Sequence, residues 1–126
     1  MNTTEWFKKA EDDLRSSEVL IGIEEPPTWV VCFHCQQSAE KYLKGYAEKH
    51  NVGFEKAHDL IYLLELCLGI DDEFKKIQPH LDALNRYSIA PRYPLDEAIE
   101  YPIEEAKKAV ENARIVREFV NRKMGL

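Results

Sequence analysis

The sequence predicts an all-α protein: an up-and-down bundle of four long helices plus one short helix, folded as a single domain over residues 1–126. Three observations predict it. Apolar residues recur at helical spacing from end to end, and no segment shows the period-two alternation of a strand. The periodic segments are separated by glycine and proline, at Gly22, Pro26-Pro27, Gly53, Gly69 and Pro91 to Pro102. The 126 residues are 44% hydrophobic and 32% charged, a composition that supports one core without disulfide staples.

Thr3 or Thr4 can cap a first helix that runs to about Ile21. Trp6, Ala10, Leu14, Ser17 and Ile21 share one face of it, and Gly22 with Glu25-Pro26-Pro27 stops it. Thr28 is the expected cap of the second helix, which reaches about His50 before a turn at Asn51-Val52-Gly53. The short third helix spans roughly Asp59 to Leu68 and is almost wholly apolar. Asp71 or Asp72 caps a fourth helix reaching about Ile89, with Phe74, Ile77, Leu81, Leu84 and Ser88 on one face. Pro79 inside that span predicts a kink or a restart. Pro91, Pro94 and Pro102 bracket an irregular loop. The last helix then runs from about Pro102 to Lys123 and buries an alanine-rich face.

The second helix carries two stripes. Cys32, Cys35, Ala39, Leu43 and Tyr46 form an ordinary apolar seam. Beside it lie Phe33, Gln37, Glu40 and Lys44, one ring, one amide and two opposite charges. A solvent face does not need the ring, and a core does not want the charges. This second stripe is therefore expected to meet a partner chain, giving a homodimer, or a polar ligand.

Charge and composition exclude several classes. Seventeen basic against 23 acidic residues give a net charge of -6, without the basic footprint of a nonspecific nucleic-acid binder, so RNA is a poor candidate partner. No apolar run is long enough to cross a membrane, and the first residues lack a signal-peptide layout. A cytoplasmic protein with reduced thiols is expected from this and from the odd count of three cysteines. Cys32-Phe33-His34-Cys35 has C-x-x-C spacing, but a second ligand pair is missing and both sulfurs lie on the apolar seam. It reads as core packing, with no metal or cofactor implied.

Other polar residues offer chemistry. Asp13 projects on the buried face of the first helix and must be paired there, with Tyr87 or Arg86 as candidate structural partners and a polar site inside the bundle as the alternative. His58 stands at the start of the third helix, where an imidazole can be a cap, a ligand or a base. His34, His50 and His80 fall on polar faces and read as surface residues. Glu24-Glu25 and Glu104-Glu105 mark solvated faces. Arg86-Tyr87 and Arg92-Tyr93-Pro94 place two guanidiniums and two phenols close together. They could grip a phosphate and stack a base, or equally fix the proline-rich loop to the bundle.

Taken in order, Trp6, Ala10 and Asp13-Leu14, then Gln36-Gln37-x-Ala39-Glu40-Lys41-x-Leu43-Lys44, His58-Asp59-Leu60, Leu84-Asn85-Arg86-Tyr87 and Arg92-Tyr93-Pro94 resemble the HEPN domain family (higher eukaryotes and prokaryotes nucleotide-binding) over nearly the whole chain. The resemblance implies an up-and-down helical bundle that forms a homodimer. It implies association with a minimal nucleotidyltransferase, and either nucleotide binding or the ribonuclease activity of a toxin–antitoxin pair. The ribonuclease branch carries an arginine, four to six residues and a histidine. Here the corresponding places after Arg86 hold Pro91, Arg92 and Tyr93, and no arginine in the chain has a histidine at that spacing. The resemblance therefore points to a binding module rather than an enzyme, with no catalytic residue assigned. Lys44, Arg86 and Arg92 are the expected phosphate contacts, Tyr87 or Tyr93 the base-stacking ring, and Asp13 or His58 the source of polar recognition. The ribonuclease toxin and a purely structural dimerising module are the alternatives.

Overall fold

A computed structural model describes residues 1–88 and 100–126. The first helix, α1 (Thr3–Ile21), is capped by Asn2 rather than by either threonine. The Asn2 side chain accepts from the Glu5 amide at 2.9 Å, and the Glu5 side chain accepts from the Asn2 amide at 3.2 Å. This reciprocal box satisfies two otherwise orphaned donors, which either threonine alone could not do. Helix α2 (Thr28–Lys49) begins one residue earlier than expected, with Pro27 as its N-cap. The Thr28 hydroxyl instead accepts from the Tyr101 amide at 2.9 Å, tying the start of α2 to the chain entering the last helix. Asn51 turns the chain with φ 58°, a left-handed position that asparagine tolerates.

Helix α3 (Leu60–Leu68) is capped by Asp59. The expected fourth helix is two pieces, as Pro79 requires. Asp71 caps a 3-10 segment, Asp72–Ile77, and α4 (Gln78–Asn85) restarts with the proline in its first turn, where its missing N–H costs nothing. The helical path ends at Asn85, short of Ile89, because Arg86 and Tyr87 turn the chain away. Ile89 and the proline loop at 91–94 lie outside the described residues. Helix α5 (Ile103–Lys123) closes the bundle. The described residues contain no strand.

Helix α2 is the axis of the molecule, packed by α1, α3, α4 and α5. Its apolar seam is wholly buried, as its spacing predicts. Small residues set the close approaches. The Ser38 hydroxyl donates to the Ala10 carbonyl at 2.8 Å, and Ser17 donates to the Val31 carbonyl at 2.9 Å, so both buried hydroxyls are satisfied where α1 lies on α2. A Cβ at Gly45 would lie 2.7 Å from the Phe7 ring and 3.1 Å from the Trp6 Cβ. Ala106, Ala109 and Ala113 bury the facing side of α5 with equally little bulk.

Candidate functional site

The mixed stripe of α2 faces inward at one end and outward at the other. Phe33 and Gln37 are half-buried, whereas Glu40 and Lys44 are buried within the single chain. The expectation that all four lie on an open face is therefore corrected. The reason is the segment between α2 and α3, which folds back over the stripe. The Glu40 carboxylate uses both oxygens. Oε1 accepts from His58 Nδ1 at 3.0 Å and from the Gln36 and Gln37 amides at 3.4 and 3.5 Å, and Oε2 accepts from Lys44 Nζ at 3.0 Å. Gln36 Nε2 also donates to the His58 carbonyl at 2.9 Å. Lys44 Nζ lies 5.3 Å from the Trp6 ring centre and 5.8 Å from that of Phe54, so its charge is shared between a carboxylate and two aromatic faces. Beside it, Trp6 Nε1 is buried without a hydrogen-bond partner among the described residues. His58 is pinned through Nδ1 and remains 59% exposed, which leaves its other nitrogen open.

Arg86 and Tyr87 occupy the turn after α4. The Arg86 guanidinium is 63% exposed, with Nη1 3.7 Å from Glu105, a loose contact. Tyr87 is buried. Its hydroxyl donates to Glu105, and its ring stands edge-on to Tyr101 at 5.0 Å. Burial, and then the bond to Glu105, push this phenol well above its usual range. Its ring is not free to stack a base, and Glu105 is not the freely solvated group its spacing suggested. Arg86, Tyr87, Glu104, Lys108, Ala109 and Asn112 line a groove of about 410 Å³ between α4 and α5. Arg92 and Tyr93, the other expected site residues, lie outside the described residues.

Asn85 links these two places. Its Oδ1 accepts from the Leu60 amide at 2.9 Å and its Nδ2 donates to Asp59 Oδ1 at 3.2 Å. Arg86 follows Asn85 and His58 precedes Asp59, so one hydrogen-bonded pair brings the two predicted site residues onto adjoining segments. Lys44 shares the Glu40 carboxylate with His58 and packs against Trp6 and Phe54. Sequence reasoning missed Asn85 as a functional support. Its signal was present in the Leu84-Asn85-Arg86-Tyr87 run, but nothing in the spacing points across to α3.

Asp13 pairs with neither Tyr87 nor Arg86. Its Oδ1 accepts from His34 Nδ1 at 2.8 Å and its Oδ2 from Lys41 Nζ. The facing helix is α2, and α4 is out of reach of this side of α1. Burial raises the Asp13 carboxyl, but the bonds from His34 and Lys41 outweigh it and hold the group below the usual carboxylate range. His34 is thus a paired residue rather than a free surface group. His80 is paired too, with Nδ1 2.9 Å from Asn112 Oδ1. His50 is exposed, with its ring 4.5 Å from Tyr46.

Cys32, Cys35 and Cys67 are free and fully buried. Burial pushes the Cys32 thiol up to about 11 and the Cys35 and Cys67 thiols up to about 12, so they behave as small hydrophobes. Among the described residues, no group of three histidine, cysteine or carboxylate side chains could hold a metal, and no helix is long and apolar enough to cross a membrane.

The model of the HEPN domain matches residues 3–123. The crystal structure of an archaeal HEPN homologue superposes with a TM-score of 0.78 at 20% identity, covering 98% of each chain. A crystal structure of a protein from Thermus thermophilus superposes with a TM-score of 0.75 at 25% identity, covering 98% of this chain and 99% of the other. No curated protein matches the sequence.

Proposed function

Because the chain belongs to the HEPN domain family, we propose that it is a nucleotide-binding module that works as a homodimer beside a minimal nucleotidyltransferase, in the cytoplasm. The observation that carries the reading is Arg86. It is an exposed guanidinium, 3.7 Å from Glu105 and 5.5 Å from the Tyr87 ring centre, on the rim of a groove of about 410 Å³ in a protein of net charge -6. A guanidinium held firmly by a carboxylate would be spent, whereas one 3.7 Å from Glu105 can turn to a phosphate. Lys108 adds a second positive charge to the lining, which also carries the carboxylates of Glu104 and Glu105. Arg92 and Tyr93, a few residues along the chain, are the proposed further phosphate contact and stacking ring. Lys44 and Asp13 serve this reading indirectly, by fixing α2 against the His58 segment and against α1.

Hydrogen bonds to charged groups contribute about 1.5 to 3 kcal/mol, so loss of one phosphate contact is expected to weaken binding by roughly tenfold or more. Calorimetry with a panel of nucleoside mono- and triphosphates should show this for Arg86→Ala and for Arg92→Ala. Equal affinity in both variants and in the parent protein would remove the two arginines from the site.

A second reading, a ribonuclease toxin, is favoured by one observation. His58 keeps a free ring nitrogen on the segment that Asn85 ties to Arg86. The missing arginine–histidine spacing argues against it, and weak or no RNA cleavage is expected. Robust cleavage by the parent protein that His58→Ala abolishes would reverse the order of the two readings.

A further inference from the structure

We propose that Asn112 sets the base specificity of the α4–α5 groove, selecting a base that presents a carbonyl oxygen, uracil or guanine, over one that presents an amino group. The inference rests on the reading of that groove as a nucleotide site. Asn112 stands on the alanine-rich face of α5, beside Ala109 and Ala113, and is 8% exposed. Asparagine is a poor helix-interior residue, and its alanine neighbours show what close packing alone needs there. His80 Nδ1 donates to Asn112 Oδ1 at 2.9 Å, since a carbonyl oxygen only accepts. That bond fixes the amide plane. The other end, Nδ2, donates to no group among the described residues. Nor is it sealed in the core: among those residues the fully buried side-chain nitrogen or oxygen without a partner is Trp6 Nε1. Asn112 lines the groove of about 410 Å³, so the amide opens there. A side chain nine-tenths buried thus keeps one oriented donor for whatever lies in the groove.

The rest of the lining gives the ligand its register. Arg86 approaches Glu105, and Asn112 lies seven residues further along α5, about 10 Å at 1.5 Å per residue. A nucleoside monophosphate fits that length with its phosphate at Arg86 and its base at Asn112. Between them Ala83 and Ala109 present single methyl groups, which leave room for a flat ring. Arg86 and Lys108 are balanced by Glu104 and Glu105, so charge does not choose between nucleotides. The hydrogen bond does. Uracil O4 and guanine O6 accept from Nδ2, whereas the amino groups of cytosine and adenine meet it donor to donor.

The test is calorimetry on the whole protein with UMP and CMP, which carry the same phosphate and ribose. UMP should bind about tenfold more tightly, the effect of one hydrogen bond. Asn112→Asp turns the donor into an acceptor and should reverse the order. His80→Ala frees the amide to turn and should abolish the preference while UMP still binds. Thermal midpoints check that both variants fold; should Asn112→Asp not fold, the parent preference and His80→Ala decide. Equal affinity for UMP and CMP, tighter binding of CMP, or an unchanged preference in a folded variant would each overturn the proposal. If Arg86→Ala then still weakens both nucleotides, the groove remains a phosphate site and only the role of Asn112 falls. If neither nucleotide binds the parent protein, both readings fall.

Discussion

Glu40 and Lys44 illustrate how a buried charge pair acts as one unit. Their side chains are 3% and 8% exposed, and the pair is completed by His58 and by the rings of Trp6 and Phe54. Breaking such a pair leaves an uncompensated buried ion, which costs about 3 to 5 kcal/mol, whereas replacing both partners by apolar groups is far milder. Glu40→Ala is therefore expected to lose about 3 kcal/mol in urea denaturation, and Glu40→Leu with Lys44→Met much less. Asp13 gives the pH counterpart. Burial raises its carboxyl, but His34 and Lys41 bring it below the unfolded value of 3.8. The sign follows: the unfolded chain takes up the proton first as pH falls, so this stabilisation is complete above about 4 and is lost on acidification through the lower native value. Thermal midpoints measured across that range should fall less steeply for Asp13→Asn than for the parent. The sequence marked Asp13 as buried and in need of a partner, because helical periodicity reports which face a residue occupies, but it set Glu40 on a stripe facing a partner chain or ligand. It did not supply the partners. His34 sits 21 positions from Asp13 and His58 18 from Glu40, and only the packing of one element on another decides such pairs.

At the scale of elements, periodicity and punctuation were legible for α1, α2, α3 and α5, and Pro79 correctly announced the restart of α4. The caps were less legible. Asn2 prevailed over Thr3 and Thr4 because Glu5 stands at the spacing that completes a capping box from Asn2. Thr28 was taken from its expected capping role by the Tyr101 amide, a contact 73 residues away. Gly45 is the position where helix-on-helix distance is set. Alanine there would gain up to about 1 kcal/mol of helix propensity, but its methyl would meet Phe7 at 2.7 Å and Trp6 at 3.1 Å, and overpacking costs about 1 to 3 kcal/mol. The clash wins because the Trp6 contact is at Cβ, which cannot rotate away. Gly45→Ala should lower stability by about 1 kcal/mol in chemical denaturation, and Gly45→Val by more.

At the scale of the whole molecule, the half-buried Phe33 and Gln37 lie beside a stripe whose charged members are already satisfied within the chain. An aromatic anchor without the cost of stripping water from a charge suits an interface between copies. Sedimentation at micromolar concentration is expected to give two chains per particle, and Phe33→Glu should shift the particle to one. A single-chain particle for the parent would leave the stripe to the monomer alone. Of the candidate site residues, Arg86 is exposed whereas Tyr87 is not, because Glu105 and Tyr101 claim its hydroxyl and ring, partners that the spacing does not reveal. The Asn85 bridge has a further bearing. The first turn of α3 is capped from the end of α4, by a side chain 25 residues further along the chain. Helix α3 has only nine residues and is too short to persist alone. Its opening is therefore expected to be coupled to that of α4, and amide hydrogen exchange should find the two helices protected together as one foldon. A ligand that grips Arg86 would then slow the local unfolding of a helix it never touches.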